Sequence, residues 1–141
     1  MKEFYDAIEA LLPLELKVYQ FNAKLSIPPV LADYPYVVLG GDGGWDFSGD
    51  GPEEPSLSAE LDSVEMRVTA TMAGTSTASL NSIFKKVRPS LSGTKPIVPG
   101  WSCSEMVQAP LVGIRPDRDI NINTLNPIFM VDEYVFIATR L

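Results

Sequence analysis

The chain has 141 residues, 45% of them apolar and 21% charged, with a net charge of −7, one cysteine and no histidine. That length suits one domain with a real core. The missing histidine removes Ser-His and Cys-His catalysis and imidazole-based zinc sites, and the acidic balance argues against gripping a duplex, which needs a basic footprint.

The opening residues, Met1-Lys2-Glu3-Phe4-Tyr5-Asp6, carry charge early and no long apolar stretch, so no signal peptide is expected. No run approaches the roughly 18 apolar residues that cross a bilayer. Phe4, Ile8 and Leu11 lie at helical spacing, beside Tyr5 and Leu12, and predict a short helix ended by Pro13. Lys17 to Phe21 reads as a strand, Pro28-Pro29 breaks the chain, and Tyr34 to Leu39 is a second strand closed by Gly40-Gly41.

Residues 42–62 hold seven acids and no base among many turn formers. They read as an acidic, flexible hairpin arm, since a loop this long in one domain is usually functional or mobile. Gly40-Gly41-Asp42-Gly43-Gly44 is not followed by a helix and is no phosphate cradle. Asp42, Asp46 and Asp50 repeat every four residues, which is not the register of a calcium loop. Trp45 is either a local hydrophobic pin or an interface anchor.

Ser63 to Met72 is the clearest strand: Val64, Met66, Val68, Ala70 and Met72 alternate with Glu65, Arg67, Thr69 and Thr71. Thr75-Ser76-Thr77 offer caps for a helix whose buried face is Leu80, Ile83, Phe84, Val87 and Leu91. Phe84 and Val68 are both expected in the core. Lys85, Lys86 and Arg88 read as a solvated helix end that offsets the dipole, and Pro89 with Gly93 as the stop. From 94 to 126 the text is irregular, with short strands expected near Met106-Val107 and Leu111 to Arg115. Ile128 to Thr139 is a closing strand apolar on both faces, which predicts a central or covered position. Asp132 and Glu133 are neighbours on it and point to opposite faces, so they make no acid/base pair. Cys103 reads as a half-buried small side chain. Nothing here marks a catalytic residue, cofactor site or metal site, and no convergent polar pocket is foreseen.

Taken in order, these segments resemble the tail terminator proteins of long-tailed bacteriophages, in the small form common in phages of actinobacteria. The resemblance runs over nearly the whole chain. It rests on the opening helix, the strand Tyr34-Pro35-Tyr36-Val37-Val38-Leu39, the acidic loop, the strand from Val64 to Met72 and the helix from Leu80 to Leu91. It continues through Pro96-Ile97-Val98-Pro99-Gly100-Trp101, Arg115-Pro116-Asp117-Arg118-Asp119 and Pro127-Ile128-Phe129-Met130-Val131-Asp132-Glu133-Tyr134. It implies a single α+β domain over residues 1–141, with a small mixed or antiparallel sheet and two helices packed on one face.

It also implies a non-enzymatic virion protein, made in the host cytoplasm and placed at the head-proximal end of the tail. There it forms a ring, usually a hexamer, that caps the tube and offers a joining surface for the head. The implied partners are other copies of the chain, the major tail tube protein and a neck or connector protein, with genomic DNA passing through unbound and no membrane involved. An acidic chain suits such a conduit, because DNA slides past a repelling wall. The candidate interface residues are Trp45 and Phe47, which would anchor the arm on a neighbouring subunit or the last tube ring, and Asp46, Glu53 and Glu54, which would meet Arg115 or Arg118 across the joint. A neck or head-completion protein is the alternative within virions, and a cellular small-molecule-binding α+β domain the alternative outside them.

Overall fold

A computed structural model describes residues 2–41, 45–46 and 63–141, with 45–46 described by backbone alone. Helix α1 (Lys2–Leu11) opens the chain, followed by β1 (Val18–Gln20), a single 3-10 turn (Leu31–Asp33), β2 (Tyr36–Gly41), β3 (Trp45–Asp46) and β4 (Ser63–Gly74). Helix α2 (Thr77–Leu91), β5 (Trp101–Cys103), β6 (Val107–Pro116) and β7 (Ile128–Arg140) complete it. The strands form one mixed sheet in the order β1-β2-β4-β7-β5, with β3 added to β4 and β6 to β7. β1 runs parallel to β2 and every other pairing is antiparallel. The class is α+β, as the sequence led us to expect.

Strict alternation explains the two central strands. Along β4 the even-numbered residues from Val64 to Met72 are all buried, and along β7 so are Met130, Asp132, Tyr134, Phe136 and Ala138. Both rows face α1 and α2. Phe4 of α1 meets Trp101 edge-on at 5.3 Å and Phe136 at 6.3 Å, while Asp6 accepts from Gln20 Nε2 of β1 at 2.8 Å, so the first helix lies across the sheet from its β5 side to its β1 edge.

Helix α2 begins at Ser76, whose Oγ accepts the Ser79 amide at 3.1 Å and satisfies one of the free N–H groups at a helix start. It buries Leu80, Ile83, Val87 and Leu91. Phe84 departs from expectation: it is half-buried on the flank, with the Arg88 guanidinium 5.0 Å from its ring centroid. Five apolar residues are more than one helix face can hold against a sheet, and Phe84 is the one displaced. Truncation of Ile83 to alanine is therefore expected to cost about 2–4 kcal/mol and truncation of Phe84 about 1–2 kcal/mol, measured by urea unfolding.

Pro89 does not stop the helix. Its missing N–H deprives the Lys85 carbonyl of a partner, but the turn continues through Ser92 N–H to Arg88 O at 2.8 Å and Ser90 Oγ to Lys86 O at 2.7 Å. Buried Leu91 holds that last turn down, and Gly93, at φ +73°, is where the chain turns away.

The basic trio also differs from the solvated end expected of it. Lys85 is exposed and Lys86 approaches Glu15 at 3.5 Å, but Arg88 reaches under the helix to Asp132. Its Nε donates to Oδ2 at 2.8 Å and its Nη2 to Oδ1 at 2.9 Å, a bidentate pair with a fully buried carboxylate. The Tyr134 hydroxyl donates to the same Oδ2 at 3.4 Å.

Residues 101–116 form more strand than expected. β5 starts at Trp101, and the two short strands foreseen near Met106 and Leu111 are one strand, β6, irregular between Pro110 and Val112 and again between Val112 and Arg115. Proline is tolerated there because β6 has β7 on one side only, so its missing donor breaks no second ladder. Met106 lies just outside the strand. It is buried and exchanges backbone hydrogen bonds with Gly93 and Thr94.

The acidic arm lies mostly outside the described residues. Within them, Trp45 pairs with Glu65 and Asp46 with Val64, beside the start of β4.

Candidate interaction cleft

Four residues stand side by side across the far end of the sheet. Tyr36 is opposite Ala73, Ala73 is opposite Phe129, and Phe129 is opposite Arg115. In register, all four project from the face away from the helices. Thr71 and Ala73 are small while Tyr36 and Phe129 beside them are large, so the row is hollow in its middle. That contrast in size opens a cleft of about 530 Å³.

Two loops build its walls. The 3-10 turn is held by Asp33, whose Oδ2 accepts the amides of Val30 at 2.8 Å and Ser26 at 3.1 Å. It delivers Tyr34, which is 7% exposed, with its ring centroid 5.2 Å from that of Tyr36. Opposite, the Asp117 amide donates to Pro127 O at 2.7 Å, and the Asp117 carboxylate accepts the Asp119 amide at 3.2 Å. This turn sets Arg115 and Arg118 on the rim, both exposed and without an ion-pair partner among the described residues.

The electrostatics follow from burial. The Tyr34 hydroxyl is pushed up to about 12, first by burial, then by Tyr36 and the negative charge of Asp117. Tyr36 is raised as well, first by burial and then by the negative charge of Asp117. The Tyr34 hydroxyl is buried at the wall of the cleft and makes no well-formed hydrogen bond among the described residues. A tyrosine ionises near 10 in an unfolded chain, so a raised folded value gives a contribution fully present below about pH 10 and lost as pH climbs toward about 12. Urea unfolding at about pH 9 and about pH 11 should show stability falling across that window. The slope should be shallower in Tyr34→Phe.

Of the expected interface residues, the structure brings Arg115 and Arg118 together on one rim. Trp45 and Asp46 sit at the opposite end of β4, known by backbone pairing alone, while Phe47, Glu53 and Glu54 lie outside the described residues. Tyr34, Tyr36 and Phe129 were not foreseen as site residues. The doublet Tyr34-Pro35-Tyr36 was a usable signal, but Phe129 joins it only through strand register. The cleft itself also corrects the expectation that no convergent polar pocket exists.

Elsewhere on this face Arg67 bridges two carboxylates, Glu65 at 3.3 Å and Glu133 at 3.2 Å, and Val107 and Ile137 stand exposed. Asp132 and Glu133 do point to opposite faces, one to Arg88 and one to Arg67. Cys103 is half-buried, and burial raises its thiol pKa. No helix among the described residues is long and apolar enough to cross a membrane. No protein-family model matches the chain, and no curated protein matches it.

Proposed function

We propose that this protein is a structural subunit whose work is to bind copies of itself in a ring, as a tail terminator of a long-tailed phage does. In that role the ring ends tube growth, meets the major tail tube protein on one side and a neck protein on the other, and lets DNA pass without holding it. The observation that carries the reading is the uncovered sheet face. Both helices lie on the opposite side, yet this face shows Val107 at 68% and Ile137 at 43% exposure around the Glu65-Arg67-Glu133 cluster. Apolar side chains gathered around satisfied charges suit a face that another protein covers. The order of segments along the chain supports the same reading. The test is mass in solution with electron microscopy. A six-fold ring with a central hole is expected, and a monomer at every concentration overturns the reading.

The cleft favours a second reading, a domain that holds a small ligand among its tyrosines and arginines. Such a protein would be monomeric or dimeric and would lose its ligand on Tyr36→Ala. A ring would count against it.

A further inference from the structure

We infer that the cleft receives a proline-bracketed acidic segment, Pro52-Glu53-Glu54-Pro55, from a second copy of the chain. The inference rests on the proposal that copies assemble with one another, and it names the joint they use.

The cleft has the chemistry of a polyproline site. Extended proline segments dock on grooves lined by aromatic rings, where tyrosine hydroxyls donate to the carbonyls that proline leaves free. Tyr34 and Tyr36 lie 5.2 Å apart by ring centroid, and Phe129 closes the row. In a polyproline helix, which has about three residues per turn, Pro52 and Pro55 share one edge and Glu53 and Glu54 take the other two. The rim offers the matching charge. Arg115 and Arg118 are exposed and have no ion-pair partner among the described residues, and the Asp117 carboxylate between them accepts an amide of its own turn. The chain has another Pro-x-x-Pro at Pro96-Ile97-Val98-Pro99, but Pro96 and Val98 are buried in their own domain.

Chain length decides whose segment it is. Asp46 pairs with Val64, whereas the cleft centres on Ala73, nine residues along β4. That span is about 30 Å at the rise of a strand. Pro52 is six residues from Asp46, a reach of about 20 Å when fully extended. Pro55 is eight residues from Ser63, about 27 Å, and the strand from Ser63 to Ala73 spans about 33 Å. Fully extended, the segment reaches no farther than the near edge of its own cleft at Thr71, about 26 Å from Ser63, and leaves Ala73 and Arg115 beyond it. A neighbour stacked head to tail places it there, and repetition of one such contact closes a ring when the rotation allows.

The experiment uses two full-length variants, Glu53→Arg/Glu54→Arg and Arg115→Glu/Arg118→Glu, with circular dichroism melting to verify that each folds. Each alone should weaken self-association by about tenfold or more, read by sedimentation. Mixed one to one they should recover it, because each supplies the segment or the cleft that the other has reversed. Pro52→Ala/Pro55→Ala should also weaken association with every charge kept. As a second measurement, a synthetic peptide of residues 49–58 titrated onto the wild-type chain should shift the NMR signals of Tyr34 and Tyr36. Wild-type rings indifferent to all the variants overturn this joint and leave the assembly reading standing. A wild-type chain that never associates overturns both. Recovery in a chain carrying all four reversals but not in the mixture would show a contact within one copy and also overturn it.

Discussion

Arg88→Met is expected to remove about 3–5 kcal/mol of folding stability, a loss comparable to the whole stability of a marginal domain. The guanidinium holds both oxygens of Asp132, which is 0% exposed, at 2.8 and 2.9 Å. With Arg88 gone the carboxylate keeps a single long bond from Tyr134 at 3.4 Å and must either stay charged in an apolar layer or take up a proton. Neutralising both ends tells a different story. Arg88→Met with Asp132→Leu leaves no charge behind, and replacing a buried pair by apolar residues of similar volume is often neutral or stabilising. The double variant should therefore regain most of what the single one loses, measured by urea midpoints. A single variant within about 1 kcal/mol of wild type would show that water reaches Asp132 in the folded chain.

Gly41→Ala is expected to cost about 2–4 kcal/mol, from strain and a collision acting together. The residue sits at φ +146°, where L side chains are rare, and an added Cβ would meet the carbonyl of Arg67 in the neighbouring strand. That carbonyl belongs to β4, across from the end of β2, so relief requires the two strands to part where Gly41 faces Val68. Gly93→Ala is the matched control. Its φ is also positive, at +73°, but a Cβ there meets nothing within 4 Å, so strain acts alone and a loss of about 1 kcal/mol is expected. Thermal unfolding of the pair separates collision from strain.

The elements that sequence reveals are those whose environment is local. β4 alternates because one face is covered, and α2 repeats every three or four residues because one side meets the sheet. The apolar residues on both faces of β7 are not matched by cover on both: one face is buried under the helices, while on the other Val131 and Val135 are half-buried and Ile137 is exposed. Where a property depends on a distant partner the text is silent or misleading. Arg88 looks like a solvated helix end until Asp132, far along the chain, is placed beneath it. Pro89 looks like a stop because the buried Leu91 that outweighs it carries no local mark. The cleft is the extreme case. Its row of Tyr36, Ala73, Phe129 and Arg115 comes from four strands, and its depth comes from Ala73 being small, which means nothing until its neighbours are known. Arg115 and Arg118 were legible as a pair because a turn keeps them close.

The placement of β7 has a consequence for how the molecule comes into being. Among the described strands it is synthesised last, yet it lies in the interior of the sheet and is the partner of β4, β5 and β6 alike. Until Ile128 and the residues after it emerge, β4 has one edge open and the strands from Trp101 to Pro116 have no ladder to join. Its pairings are also remote, with Ser63 against Thr139 and Gly74 against Ile128, so each asks for a large loop to close before any bond repays it. Domains built on such distant pairings fold over milliseconds to seconds. On the ribosome, the bare edge of β4, with its unbroken alternation of apolar residues, is open to pairing with other chains until β7 arrives.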